Sequence, residues 1–145
     1  MKATIIPLLA LATALVSATP TKAAETCSNA SLRGTYGFHG FATVVSPGSP
    51  GTPRAIIGVF TLDGRGTWNA SLTVNDNGIV TKLPPATQPG TYLVNADCTG
   101  TLFPSTGGSI EIVVVDGGRE FYQMRTAPAS VVLYGTTKKV SADDK

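Results

Sequence analysis

The sequence predicts an all-β fold: a small antiparallel up-and-down β-barrel of about eight or nine strands, with a β-sandwich as the alternative. Three observations predict it. Turn clusters rich in Gly, Asn and Asp recur about every ten residues. The segments between them are rich in β-branched and aromatic residues. No segment beyond the leader carries a long apolar stripe at helical spacing.

The first element is that leader. Lys2 is followed by an apolar run from Ile5 to Val16 and by small residues through Ala18, Ala23 and Ala24. This is the order of a secretory signal peptide, and the run is short for a membrane-spanning helix. Cleavage after Ala23 is favoured over cleavage after Ala18, so residues 1–23 read as signal peptide and 24–145 as a single secreted β-barrel domain. Ala24, Glu25 and Thr26 precede Cys27, which is not the small and aliphatic setting of a lipid-anchored cysteine. No second apolar stretch approaches the length of a span, so the expected product is soluble and secreted or periplasmic.

The strands follow in order as Gly34 to Val45, Ala55 to Leu62, Thr67 to Asn75, Ile79 to Lys82, Thr91 to Val94, Thr99 to Phe103, Ser109 to Val115, Glu120 to Thr126 and Val131 to Lys138. Asp63-Gly64-Arg65-Gly66, Asp76-Asn77-Gly78, Asn95-Ala96-Asp97, Ser105-Thr106-Gly107-Gly108 and Asp116-Gly117-Gly118 separate them. Gly, Asn and Asp tolerate the positive φ of tight reversals, so these clusters imply hairpins and a meander of neighbouring strands. A meander has two exposed edges unless it closes into a barrel. Pro47 to Pro53 and Leu83 to Pro89 read as the longest loops, being too proline-dense for strand interiors. A crossover at either would favour the sandwich.

Alternation identifies the buried faces. Ile110, Ile112 and Val114 share one face, and Glu111, Val113 and Val115 the other; Ile56, Gly58, Phe60 and Leu62 oppose Ile57, Val59 and Thr61. Strands apolar on both sides call for cover on both sides. A homo-oligomer is one source of that cover, although exposed Val and Ile are also common on soluble proteins.

Composition narrows the partners. The chain holds 11 basic and 9 acidic side chains, and losing Lys2 and Lys22 with the leader brings the balance near zero. The basic residues are scattered except for Lys138 and Lys139, so neither the basic face of a nucleic-acid binder nor an anionic-membrane cluster is present. Cys27 and Cys98 read as a structural disulfide in an oxidising compartment. Two cysteines and one histidine, His39, fall short of a structural zinc set, and no metal or cofactor is expected. No serine sits in a G-x-S-x-G elbow for a hydrolytic triad. Asp63, Asp76, Asp97 and Asp116 fall in turn signals, where they hydrogen-bond the local backbone. Asn29-Ala30-Ser31 and Asn69-Ala70-Ser71 match the N-glycosylation acceptor pattern.

Leu32-Arg33-Gly34-Thr35-Tyr36-Gly37-Phe38, Thr61-Leu62-Asp63-Gly64-Arg65-Gly66 and Gly90-Thr91-Tyr92-Leu93-Val94-Asn95-Ala96-Asp97-Cys98-Thr99-Gly100 resemble the landmarks of small exported bacterial β-proteins of unknown function. The resemblance spans most of the chain beyond the leader and implies fold and export. More loosely, the strand count is similar to allene oxide cyclase-like and lipocalin-like barrels, which implies a lumen that binds or cyclises apolar molecules.

The functional expectation is a secreted barrel binding a small apolar ligand in its lumen, with Tyr36, Phe38, Trp68, Tyr92 and Tyr122 as candidate wall residues. One alternative is an isomerase or cyclase using a lumen carboxylate such as Glu111, although outward exposure is the commoner position for a strand carboxylate. Another is a non-enzymatic surface interaction module with a filled core. The balance favours a protein that is not an enzyme. Within Glu120 to Thr126, Tyr122 and Met124 share one face and Phe121, Gln123 and Arg125 the other, and either set has the chemistry to line a pocket.

Overall fold

The computed structural model describes residues 26–48 and 50–140; the signal peptide read from the sequence lies outside the described residues. Nine strands follow one another: β1 (Arg33–Val44), β2 (Thr52–Asp63), β3 (Thr67–Asp76), β4 (Ile79–Leu83), β5 (Pro89–Val94), β6 (Thr99–Pro104), β7 (Ser109–Val115), β8 (Glu120–Ala127) and β9 (Val131–Lys139). All pairings are antiparallel. The sheet runs β2-β1-β9-β8-β7-β6-β5-β3-β4, and β2 also pairs with β3. That last pairing closes eight strands into a barrel, with β4 as an extra strand, and disposes of the sandwich.

β3 makes the closure by dividing its second edge. Thr67 to Asn69 pair with β5, while Leu72 to Asp76 pair with β4. The Ala70 amide extends the β5 seam by donating to the Gln88 carbonyl at 3.0 Å. β4 hangs outside the circuit, and four of its five residues are exposed. Strand edges are less proline-averse than the sequence reading supposed. Pro53 lies inside β2 opposite Thr43, Pro89 opens β5 and Pro104 closes β6. Each sits within two residues of a strand end, where a missing amide is tolerated.

The pleat sorts side chains as alternation requires. Ile56, Phe60 and Leu62 of β2 and Ile110, Ile112 and Val114 of β7 are buried inside. Their alternates face outward: Ile57 is 62% exposed and Val113 48%.

The two barrel ends differ. At the end where β1 begins, the segment from Thr26 to Leu32 lies across the opening as a 3-10 turn at Asn29–Ser31. Leu32 is fully buried beneath it. Cys27 is bonded to Cys98, with Cα atoms 4.9 Å apart. The Val94 amide donates to Asn29 Oδ1 at 2.7 Å, and the Tyr92 hydroxyl donates to the Leu32 carbonyl at 2.8 Å. Tyr36 donates to the Gly118 carbonyl at 2.8 Å. Gly118 approaches the plug so closely that a Cβ there would lie 2.0 Å from the Ser31 carbonyl oxygen, and its φ of +85° is a second reason for glycine. Asn29 thus serves as a structural acceptor, whereas Asn69, in the other glycosylation pattern, is exposed on β3.

Asp63 organises the β2–β3 turn at the same end. Its Oδ1 accepts the amides of Arg65, Gly66 and Thr67 at 2.7, 3.0 and 2.9 Å, and Oδ2 accepts the Thr67 hydroxyl at 2.7 Å.

Two predictions follow from this sealed end. The disulfide closes a sequence separation of 71 residues, so Cys27→Ser with Cys98→Ser is expected to lower unfolding free energy by about 4 kcal/mol in the loop-entropy account. Urea denaturation measures this, and an unchanged midpoint would contradict it. For Asp63, bonds from the Thr67 hydroxyl and amide and from the Arg65 amide hold the carboxyl well below its usual 3.8. A depressed carboxylate contributes fully above its unfolded value and loses its contribution as pH falls toward the folded one. The stability gap between wild type and Asp63→Asn should therefore be flat near neutrality and narrow below about pH 4. Thermal melts across that range decide it; a gap that keeps its size in acid would be the wrong outcome.

Candidate functional site

The other end of the barrel is the open one. From it a cavity of about 130 Å³ runs into the lumen. Three rings form its deeper wall. Phe38 and Phe60 meet edge to face with centroids 5.5 Å apart, and Phe60 and Trp68 lie 5.2 Å apart. Trp68 is held by its indole N–H, which donates to the Thr91 carbonyl at 3.0 Å. Ile56, Ile110 and Leu133 complete the apolar lining.

Space for the rings comes from glycines on neighbouring inward positions. A Cβ at Gly135 would sit 2.5 Å from Phe38 Cε2 and from the His39 carbonyl oxygen, and one at Gly40 would sit 2.6 Å from Phe38 Cζ. Gly40 and Gly135 face each other across β1 and β9, so Phe38 lies along the wall there. Gly90 serves Trp68 in the same way, with a Cβ position 2.5 Å from Cε2.

Polar residues interrupt this apolar surface: Gln88, Thr106, Gln123 and two arginines. Gln123 of β8 is 5% exposed and lines the cavity. Its Nε2 donates to Thr137 Oγ1 at 3.0 Å, while Oε1 is buried with no hydrogen-bond partner. Such an orphan costs about 1–3 kcal/mol. At the mouth stand Arg54 and Arg125. Asp76 takes Arg54 in a two-point pair, Nε to Oδ1 and Nη2 to Oδ2, the latter at 2.9 Å. Arg125 is held differently, by Nε to the Ala127 carbonyl at 2.9 Å and Nη2 to the Gly107 carbonyl at 3.1 Å. No carboxylate pairs with it among the described residues. Burial first, and then the neighbouring charge of Arg54, push the Arg125 guanidinium below its ordinary value.

The residues singled out from sequence divide among three places. Phe38 and Trp68 line the cavity. Tyr36 and Tyr92 are buried, but both hydroxyls tie down the sealed end, and burial raises the pKa of each. They brace the plug and are absent from the cavity lining. Glu111 and Tyr122 point outward. Glu111 accepts the Thr101 hydroxyl on the barrel exterior at 3.2 Å, and Tyr122 is 51% exposed. The acid–base alternative needs Glu111 in the lumen, and the pleat of β7 puts it on the opposite side. His39 is also on the outer face of β1.

The lining also holds Phe60, Gln123, Arg54 and Arg125; the sequence marks Gln123 and Arg125 as part of one of two sets able to line a pocket, whereas Phe60 and Arg54 stand outside its candidates. For Phe60 a signal existed, since it shares an alternation face with Ile56 and Leu62. Arg54 was hidden because Pro53 placed it at a supposed loop boundary.

The orphaned oxygen makes a prediction about stability. Gln123→Leu combined with Thr137→Val removes the unsatisfied acceptor and both partners of a bond worth about 1 kcal/mol without orphaning the fully buried Thr137 hydroxyl, so the double variant should be as stable as wild type or up to about 1 kcal/mol more stable. Denaturant unfolding tests it, and a loss above about 2 kcal/mol would mean that Oε1 is satisfied in the native protein.

Comparison of the chain with protein-family models, with curated proteins and with solved structures finds no match.

Proposed function

We propose that this protein is an exported, disulfide-stapled barrel that holds a small, mostly apolar ligand in its lumen and acts by binding it rather than by turning it over. One observation carries the reading. A barrel stoppered at one end leaves an aromatic-lined cavity at the other, and a buried amide in that cavity has one end without a partner. A filled core has no use for such a group, which lowers stability unless something bonds to it. Apolar walls with a few convergent polar groups are the usual composition of a small-molecule site. Export to the periplasm or the medium agrees with the leader and with the Cys27–Cys98 bond. The resemblance of the Leu32 to Phe38 and Gly90 to Gly100 landmarks to small exported bacterial β-proteins supports the same placement. The cyclase alternative loses its candidate group, since Glu111 faces away from the cavity.

A second reading rests on the exterior. Ala55, Phe41, Tyr134 and Met124 lie in register across β2, β1, β9 and β8. The Phe41 and Tyr134 rings sit 6.4 Å apart on that outer face, with Ile57 and Tyr122 exposed nearby in register. An apolar row of this kind suits a protein partner, a second copy of the chain included.

Native mass spectrometry of the protein taken from its producer's own medium tests both readings in one spectrum. The expected result is a ligand adduct lost on denaturation. Leu133→Trp, which fills the cavity with a larger side chain, is expected to abolish the adduct while the disulfide persists. A bare wild-type chain would reject lumen binding, and a mass of two or more chains would support the exterior as a self-association surface.

A further inference from the structure

The mouth and the floor of the cavity bear polar groups of different kinds, and together they restrict the ligand's chemistry. This inference rests on the lumen-binding reading and adds the chemical class. Size is the first restriction. A cavity of about 130 Å³ is close to the roughly 150 Å³ that accepts one benzene ring, and below the roughly 300–1,000 Å³ of drug-sized pockets. Phe38, Phe60 and Trp68 offer ring faces and edges to an apolar body of that size. Charge is the second. With Asp76 committed to Arg54, the mouth keeps one uncompensated positive charge on Arg125. The two backbone carbonyls that hold Arg125 fix its position without neutralising it. A planar guanidinium held in this way recognises a carboxylate. The third restriction is the Gln123 amide, deeper on the same inward face of β8. Gln123 and Arg125 are two residues apart on the strand, so their backbones are separated by roughly 6.6 Å. A single six-membered ring with polar groups at opposite ends spans such a distance. A hydroxyl suits the amide in either orientation of its O and N, because it both donates and accepts.

We infer that the lumen binds a one-ring hydroxylated aromatic acid, with its ring against Phe38, Phe60 and Trp68, its hydroxyl on the Gln123 amide and its carboxylate on Arg125. The acid enters with the hydroxyl end first, and the charged end stays at the mouth, where desolvation is least costly.

The test is isothermal titration calorimetry of the oxidised protein with 4-hydroxybenzoate, benzoate and phenol. 4-Hydroxybenzoate should bind at least tenfold more tightly than either fragment. Its affinity should fall with added salt, whereas that of phenol should not. Arg125→Met should weaken 4-hydroxybenzoate by at least tenfold and leave phenol unchanged, and Gln123→Leu should weaken 4-hydroxybenzoate and phenol and leave benzoate unchanged. The salt comparison uses the wild-type chain alone, so it stands even where a variant fails to fold. If phenol binds as tightly as 4-hydroxybenzoate, with no salt dependence in either, the acid is overturned and the lumen-binding reading survives. If benzoate equals 4-hydroxybenzoate and Gln123→Leu changes nothing, the hydroxyl is overturned. Absence of binding by all three overturns the one-ring class, and the native mass spectrum then decides separately whether the lumen holds any ligand.

Discussion

Docking of the Thr26 to Leu32 segment across one end of the barrel organises this fold. Closing an eight-stranded sheet removes its edges but leaves two ends, and each exposes inward-facing apolar side chains unless something covers it. Here Leu32 is buried in the lumen, the Tyr92 hydroxyl satisfies the Leu32 carbonyl of the covering chain, the Tyr36 hydroxyl satisfies the Gly118 carbonyl of the adjoining β7–β8 turn, and the Cys27–Cys98 bond prevents the segment from leaving. One end is therefore covered, and the lumen cavity lies toward the other.

That asymmetry explains the distribution of polar groups along the lumen. Polar atoms near the plug find backbone partners, as both tyrosines do, and buried groups of this kind add rigidity without creating a site. Around the cavity and below its mouth, Gly40, Gly90 and Gly135 leave room on the inner wall beside Phe38 and Trp68, and Phe38, Phe60 and Trp68 pack against one another edge to face and at a tilt. Gln123, on the cavity wall, keeps its Oε1 buried and without a hydrogen-bond partner. A lumen of larger inward residues would have filled the cavity and excluded a glutamine from it. The same mouth has one guanidinium neutralised by a carboxylate and one fixed only by carbonyls, a difference that lies within the reach of a small anion.

The exterior follows another rule. Outward positions on β1, β2, β8 and β9 carry Phe41, Ile57, Tyr122, Met124 and Tyr134 where a solvated sheet more often carries charge. The plug covers a barrel end and none of this face, so the two-sided apolar strands noticed in the sequence keep one side uncovered in the single chain.

Local chemistry was enough to read the β class, the turn positions, the pairing of the two cysteines and the hairpins, except that β5 pairs with β3 in place of its chain neighbour β4. These are local or forced properties: period-two alternation, the positive-φ demand of turns, and a pair of thiols with no other partner. Tertiary structure alone decided which face of each strand is the lumen and how far along the lumen each side chain lies. Tyr36, Phe38, Tyr92 and Trp68 look alike as inward aromatics, yet two brace the plug and two line the cavity, because strand tilt and stagger set their depth. Glu111 and Arg125 show the other limit. Each sits in an alternating strand whose faces are both acceptable inside, and the closed barrel puts Glu111 on the exterior and Arg125 on the cavity side.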